Sequence, residues 1–336
     1  MNRFRWVACQ IDALKNCLDY RALQHALAFL PKTLDETYNR ILCTIPPEHK
    51  KTATLILQLV AFSERPLKVE EVVDAIAVDT DRDIFFCPKY RMPDPREITR
   101  YCSSLVIVSS IPEQLDKNDD SYVGVQLAHF SVKEYLTSNR LDSDVAANFQ
   151  EPTARAAIAQ ACLAYILHFN EEILVEGVVQ RYPFAQYSAR YWMAHAAKAK
   201  DKDKRLLELI EQLFCHREIS YNICYSLHRP DIRWSYDLRG KPASAMYYAA
   251  FGGLLHTTKD LANRGADINT QGGEYGNALQ AALAEGNDMI AKLLLDKGAN
   301  ANAQGRYYGN ALQAASLTGH EAIVKLLLDK GADVNA

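Results

Sequence analysis

Apolar side chains in the first sixty residues recur at helical spacing. Arg5–Phe29 reads as one helix with Leu23, Leu27 and Leu30 on one side. After Pro31, Thr33-Leu34-Asp35-Glu36 opens another: Thr33 is placed to cap the first turn and Glu36 to reach back to it. Leu34, Tyr38, Ile41, Leu42 and Ile45 share one face, and Pro46-Pro47 ends the run. Ala53, Ile56, Leu57, Val60 and Ala61 mark the next helix, and Pro66 opens one bearing Val69, Val72, Val73 and Ile76. Beyond prolines 88, 93 and 95 and a short helix near Arg96–Ser103, the period changes to two. Leu105–Ile111 and Tyr122–Phe130 read as strands, the second turning Val123, Val125 and Leu127 inward, with Pro112–Ser121 as the hairpin loop.

From Thr153 to about Phe214 the helical period returns. Ile158, Ala161, Cys162, Tyr165, Ile166 and Phe169 form one stripe. Phe184, Tyr187, Tyr191 and Trp192 form a second, and Leu206, Leu209, Ile210 and Leu213 a third. Such spacing favours a buried core over an aromatic ligand box. The alternating charges of Lys198–Arg205 suit a solvated connection.

The C-terminal part repeats itself. Gly265-Ala266-Asp267-Ile268-Asn269 returns 33 residues later as Gly298-Ala299-Asn300-Ala301-Asn302, and again as Gly331-Ala332-Asp333-Val334-Asn335. Residues 275–303 and 308–336 agree at 20 of 29 positions, which rules out chance. Asn277 and Asn310 can cap a first helix, Gly286 and Gly319 allow a turn, and Gly298 and Gly331 fall where a left-handed cap ends the second helix. The period, helix pair and Gly-Ala-Asp-Val-Asn tail resemble the ankyrin repeat. The usual Thr-Pro-Leu-His is here Asn-Ala-Leu-Gln, with Asn as cap and Gln as hydrogen-bonder. A degenerate unit over 241–269, with Ala245-Met246-Tyr247-Tyr248-Ala249 in the first-helix position, reads as an N-terminal cap. The last unit stops at Ala336 with its apolar face uncovered, so the expectation is a piece of a longer array or a truncated product, fraying over 320–336.

Composition narrows the function. Of 336 residues, 49% are apolar and 24% charged, an ordinary globular balance. The net charge of −3 gives no global pull toward nucleic acid or an anionic membrane. Leu55–Phe62 and Ala156–Phe169 are too short to span a bilayer, and nothing resembles a signal peptide. The eight scattered cysteines read as reduced, buried thiols, which with the missing signal peptide points to the cytoplasm.

Helices followed by one hairpin fit a winged helix. Phe4-Arg5-Trp6-Val7-Ala8-Cys9-Gln10, Leu30–Tyr38, Leu127–Leu136 and Tyr182–Ala196 resemble the segments that follow the NACHT module in fungal NLR-like (STAND) proteins, and with the ankyrin repeats the resemblance covers nearly the whole chain. It implies a repeat sensor coupled to a nucleotide-switched NTPase and a link to non-self recognition. No Gly-x-x-x-x-Gly-Lys-Ser/Thr loop is present, so the expectation is a non-enzymatic chain that does not hydrolyse nucleotide alone and carries no cofactor of its own. The expected fold is mostly α: a helical segment (1–62), a winged helix with a small hairpin (63–145), a helical linker domain (150–235) and ankyrin repeats (241–336).

His129-Phe130-Ser131-Val132-Lys133-Glu134-Tyr135 fits the His-x-Ser/Thr-x-x-Glu-Tyr/Phe setting in which, by the resemblance, a histidine touches ADP phosphates. A histidine bonded to backbone at a strand–helix junction is the alternative. Cys215, His216, Cys224 and His228 match no common zinc spacing. A winged helix also raises nucleic-acid binding or transcriptional regulation. However, residues 96–140 carry five basic against six acidic side chains, three of the latter (Asp116, Asp119, Asp120) in the wing. In the ankyrin fingers, Gly273/Arg306 and Glu274/Tyr307 differ between otherwise matching units, as do Asn287/His320 and Leu283/Ser316. These positions mark either drift on a solvated surface or a protein ligand's contacts on the concave face. Glu274, Tyr275, Arg306, Tyr307, Tyr308, Asn287 and His320 are the candidate partner-binding residues, with Arg306-Tyr307-Tyr308 having the chemistry of an anchor.

Overall fold

The computed structural model describes residues 2–15, 17–81, 85–112, 121–141, 143–171, 174–199, 203–232 and 241–335. The chain divides into two compact units, 1–161 and 162–336.

The first unit runs α1 (Asn2–Lys15), α2 (Tyr20–Ala28), α3 (Leu34–Thr44), α4 (Pro47–Phe62), β1 (Leu67–Lys68), α5 (Val69–Ile76), α6 (Thr99–Cys102), β2 (Val106–Pro112), β3 (Ser121–Leu127), α7 (Phe130–Leu136) and α8 (Ser143–Phe149), and α9 (Glu151–Leu167) leads out of it. The single helix expected over Arg5–Phe29 is two. Asp19 accepts the Ala22 N–H at 2.8 Å and starts α2 afresh, because a carboxylate there satisfies an orphan amide better than a continuing turn does. Leu27 is half exposed, and α2 buries no residue. The capping box at α3 forms: Thr33 Oγ1 accepts the Glu36 N–H at 3.1 Å, and Glu36 accepts the Lys32 N–H at 2.8 Å. The Trp6 indole donates to the Pro31 carbonyl at 3.1 Å and Gln10 to Thr37 Oγ1 at 2.9 Å, tying α1 to α3.

Pro66 begins a strand, not a helix. Leu67–Lys68 pairs antiparallel with β3 opposite Val125 and Gly124, giving a three-stranded sheet in the order β1-β3-β2. Buried Glu71 then accepts the Lys68 N–H at 2.8 Å and pairs with Arg65, locking the strand-to-helix turn. In β3 only Val125 of the three expected inward residues is fully buried, and Val123 is half exposed. Leu67 and Lys68 reach only Val125 and Gly124, so the strand beyond has no β1 neighbour to cover it. The hairpin loop, with Asp116, Asp119 and Asp120, lies outside the described residues.

The second unit holds α10 (Val175–Arg181), α11 (Phe184–Ala197), α12 (Lys204–Glu211), a π-helical turn at Gln212–His216 and α13 (Glu218–Leu227). The ankyrin helix pairs follow: α14 (Ala245–Phe251) with α15 (Leu255–Asn263), α16 (Ala278–Ala284) with α17 (Asp288–Asp296), and α18 (Ala311–Thr318) with α19 (Glu321–Asp329). Trp192, Tyr187, Phe184, Leu206, Leu209, Ile210 and Leu213 are all buried, so the stripes are core. Asn277 and Asn310 each accept the N–H three residues on, at 3.0 and 2.9 Å, and Ser244 caps the degenerate unit likewise. Between units, Asn269 donates to the Gly298 carbonyl at 3.2 Å and accepts the Asn300 N–H at 2.8 Å. One period later Asn302 does the same with Gly331 and Asp333, at 2.9 and 2.7 Å. Leu317 and Val334, in the last repeat, are 74% and 72% exposed, whereas Ala301, the counterpart of Val334, is buried.

The eight cysteines are free thiols, but they are not uniformly buried: Cys43 and Cys215 are exposed at the ends of their helices. Burial pushes the Cys102 and Cys224 thiols up to about 12. Among the described residues no helix is long and apolar enough to cross a membrane, and no His/Cys/Asp/Glu group is arranged to hold a metal ion.

Candidate functional site

The first site lies where β3 hands over to α7. Ser131, Val132, Tyr135 and Leu136 point into the core, and this registers the helix and leaves its N-cap, His129, partly exposed. His129 Nδ1 accepts the Ser131 N–H at 3.2 Å and lies 2.7 Å from Ser131 Oγ. Ser131 Oγ is in turn 2.9 Å from the hydroxyl of Tyr38, which is 1% exposed. Nδ1 is committed to its own helix through a backbone N–H, while Nε2 has no partner among the described residues. The neighbouring cavity of about 220 Å³, lined by Thr33, Leu34, Asp35, Ser131, Glu134 and Arg140, is crossed by the Arg140–Asp35 ion pair at 2.7 Å.

The second site is the ankyrin fingers. Tyr275 is 3% exposed and stacks on Tyr308, with centroids 5.7 Å apart and planes 10° apart, and on Phe251 at 6.2 Å. It is the middle rung of a ladder and offers no free face. Tyr307 meets Tyr275 edge-on at 5.7 Å and is 61% exposed, and Arg306 beside it is exposed too. Tyr308 and Glu274 are half-buried. Asn287 Nδ2 donates to the carbonyls of Ala250 and Phe251, both at 2.9 Å, which places it as a cap between repeats. One period on, His320 Nδ1 lies 2.8 Å from Asp288 Oδ1. Of the seven partner candidates, the structure brings Arg306 and Tyr307 together at one exposed tip and engages Tyr275 and Asn287 in the stack itself.

Sequence reasoning missed the carboxylate that holds the preceding finger. Asp231, 2% exposed, accepts the Tyr247 hydroxyl at 3.0 Å and the Glu274 N–H at 2.9 Å through one oxygen, Oδ2. The Tyr247 hydroxyl also accepts the Tyr275 N–H at 3.2 Å. Burial and the Asp231 carboxylate together push the Tyr247 phenol far above its ordinary range. Tyr248 stacks on Tyr225 of α13 with centroids 3.8 Å apart and planes 8° apart. Gln280, expected as a hydrogen-bonder, donates to the Ala303 carbonyl at 3.1 Å.

Residues 38–148 match the family described as GPI inositol-deacylase, winged helix domain, and residues 245–336 match ankyrin repeats (three copies). The winged-helix match opens at Tyr38, within α3, the residue bonded to Ser131. The chain is 36% identical over 289 residues to azaphilone pigments biosynthesis cluster protein L of Monascus ruber, covering 79% of this chain and 59% of that protein. The match thus spans about three fifths of that relative's length. The chain carries a winged helix domain of the GPI inositol-deacylase type followed by ankyrin repeats.

Proposed function

We propose that the chain is a non-enzymatic adaptor and sensor part of an NLR-like cytoplasmic signalling protein that binds a protein ligand through its ankyrin fingers. The observation that carries this reading is the exposed Arg306–Tyr307 tip seated on a rigid aromatic ladder. An exposed Tyr beside Arg supplies large contact area at low entropic cost. The stacked units give the ligand an extended surface, and the winged helix provides the element that a nucleotide-switched module in a longer form, or in another chain, would engage. There His129 Nε2 would meet a nucleotide phosphate.

A protein ligand is favoured over nucleic acid by charge. Lys51, Arg65, Arg91, Arg100 and Arg140 of the first unit each pair with a carboxylate, which lowers the positive potential they would offer to phosphate. The name of the Monascus ruber relative assigns that protein to a pigment biosynthesis cluster, which is compatible with a signalling or regulatory part but names no partner.

The test is affinity capture from cytosol with the wild-type chain beside an Arg306→Ala/Tyr307→Ala variant of matched thermal stability. A defined protein retained by the wild type and lost from the variant supports recognition at the finger tip. A protein retained equally by both rejects it.

A further inference from the structure

The geometry points to Tyr38 and Ser131 as positioning residues that hold the His129 imidazole in its Nε2–H form, so that Nε2 is a fixed hydrogen-bond donor. The inference rests on the reading of His129 given under Proposed function and adds to it the machinery that sets the ring.

A neutral imidazole has one donor and one acceptor nitrogen, and which is which follows from what each faces. Nδ1 faces the Ser131 N–H at 3.2 Å, a donor that cannot reverse. A proton on Nδ1 would point at that N–H, so Nδ1 keeps its lone pair. The hydroxyls reinforce the choice. Tyr38 is a phenol and the more acidic of the two, so it donates to Ser131 Oγ at 2.9 Å, and the serine's own proton is directed to Nδ1 at 2.7 Å. Buried Tyr38 and Ser131 leave this chain shielded from water, and a donor chain of this kind polarises along its length. The ring proton is then on Nε2, which has no partner among the described residues. The two residues lie 93 positions apart, on α3 and α7, so their juxtaposition is a product of the fold and not of the local motif.

The experiment is a histidine side-chain ¹⁵N–¹H correlation spectrum of the full chain at about pH 8.5, above the ordinary histidine range, with His129→Gln to assign the signal. The wild type shows His129 as the Nε2–H form. Ser131→Ala raises the Nδ1–H to Nε2–H ratio about fivefold, the effect of one ordinary hydrogen bond. Tyr38→Phe moves it the same way by less, and Ser131→Thr, which keeps the hydroxyl, restores it. A wild-type ring mainly in the Nδ1–H form, or a ratio unchanged in Ser131→Ala, overturns the assignment. Inorganic pyrophosphate added to the same sample tests the phosphate reading separately. Movement of the Nε2 resonance supports that reading, and an unmoved resonance with the Nε2–H form intact rejects it while the positioning role stands.

Discussion

The Tyr247 hydroxyl and the Asp231 carboxylate meet at 3.0 Å inside the second unit, and the same carboxylate oxygen holds the Glu274 amide of the ankyrin finger. The segment after α13 is thereby fastened to the first finger by a charge-assisted contact, the strongest class of neutral-donor hydrogen bond. Among the described residues the other Asp231 oxygen, Oδ1, is buried without a hydrogen-bond partner. Asp231→Ala should cost about 1–3 kcal/mol, because it strands the buried Tyr247 hydroxyl and the part-buried Glu274 amide. Urea unfolding of Asp231→Ala, Tyr247→Phe and the double variant should show strong non-additivity. Additive losses would mean that the contact carries no stability.

Two tyrosines of neighbouring fingers should respond differently to truncation. Tyr275→Ala removes the middle rung of the ladder and should cost about 3–5 kcal/mol, as large-to-small changes in a core do. Tyr307→Ala removes a ring that is 61% exposed and should cost about 1 kcal/mol or less. Thermal unfolding of the two single variants decides it.

Gly276 and Gly309 occupy equivalent places, yet an alanine should be worse at the first. Gly276 has φ +105°, and a Cβ there would lie 2.7 Å from the Gly305 Cα, which is backbone and cannot yield cheaply. Gly309 has φ +77°, and its obstacle is the far end of the Gln313 side chain, which can swing away. Gly276→Ala should lose about 2 kcal/mol or more, and Gly309→Ala distinctly less. Equal losses in denaturant midpoints would show that backbone conformation alone sets the cost.

Acid should weaken the second unit through His228. Burial, with Arg190 nearby, lowers its pKa from the ordinary 6.5 to about 4, against a smaller raising effect of Asp231. A depressed folded pKa means that the neutral form is favoured in the native state. The stability linked to this group is therefore complete above about pH 6.5 and is lost progressively as pH falls toward 4, up to about 3 kcal/mol in all. The unfolding midpoint of the wild type should fall across that window more steeply than that of His228→Gln. Parallel curves would exclude His228 as the source.

The repeat region was legible because its signal is a self-match: Asn277 and Asn310 cap as their spacing demands, and no long-range knowledge is needed to see it. The winged helix was legible as an order of elements, but its third strand was not, since two residues after Pro66 carry no period of their own and become a strand only by pairing with Val125 and Gly124. The break at Asp19 was missed because leucine spacing outvoted a single capping residue. Of the candidate site, His129 was visible through its motif, whereas Tyr38 became part of it only through folding. Asp231 has no local signature at all: a lone carboxylate between two segments reveals its role only when Tyr247 and Glu274 close over it.

The paired bonds that Asn269 and Asn302 make to the unit ahead are alike in donor, acceptor and register. Any unit whose closing pentapeptide keeps the glycine and the final asparagine presents the same socket and fits the same plug. Duplication or loss of one internal 33-residue module by unequal crossing-over would therefore leave every surviving joint intact. Finger tips such as Arg306–Tyr307 can differ from one unit to the next without disturbing the joints.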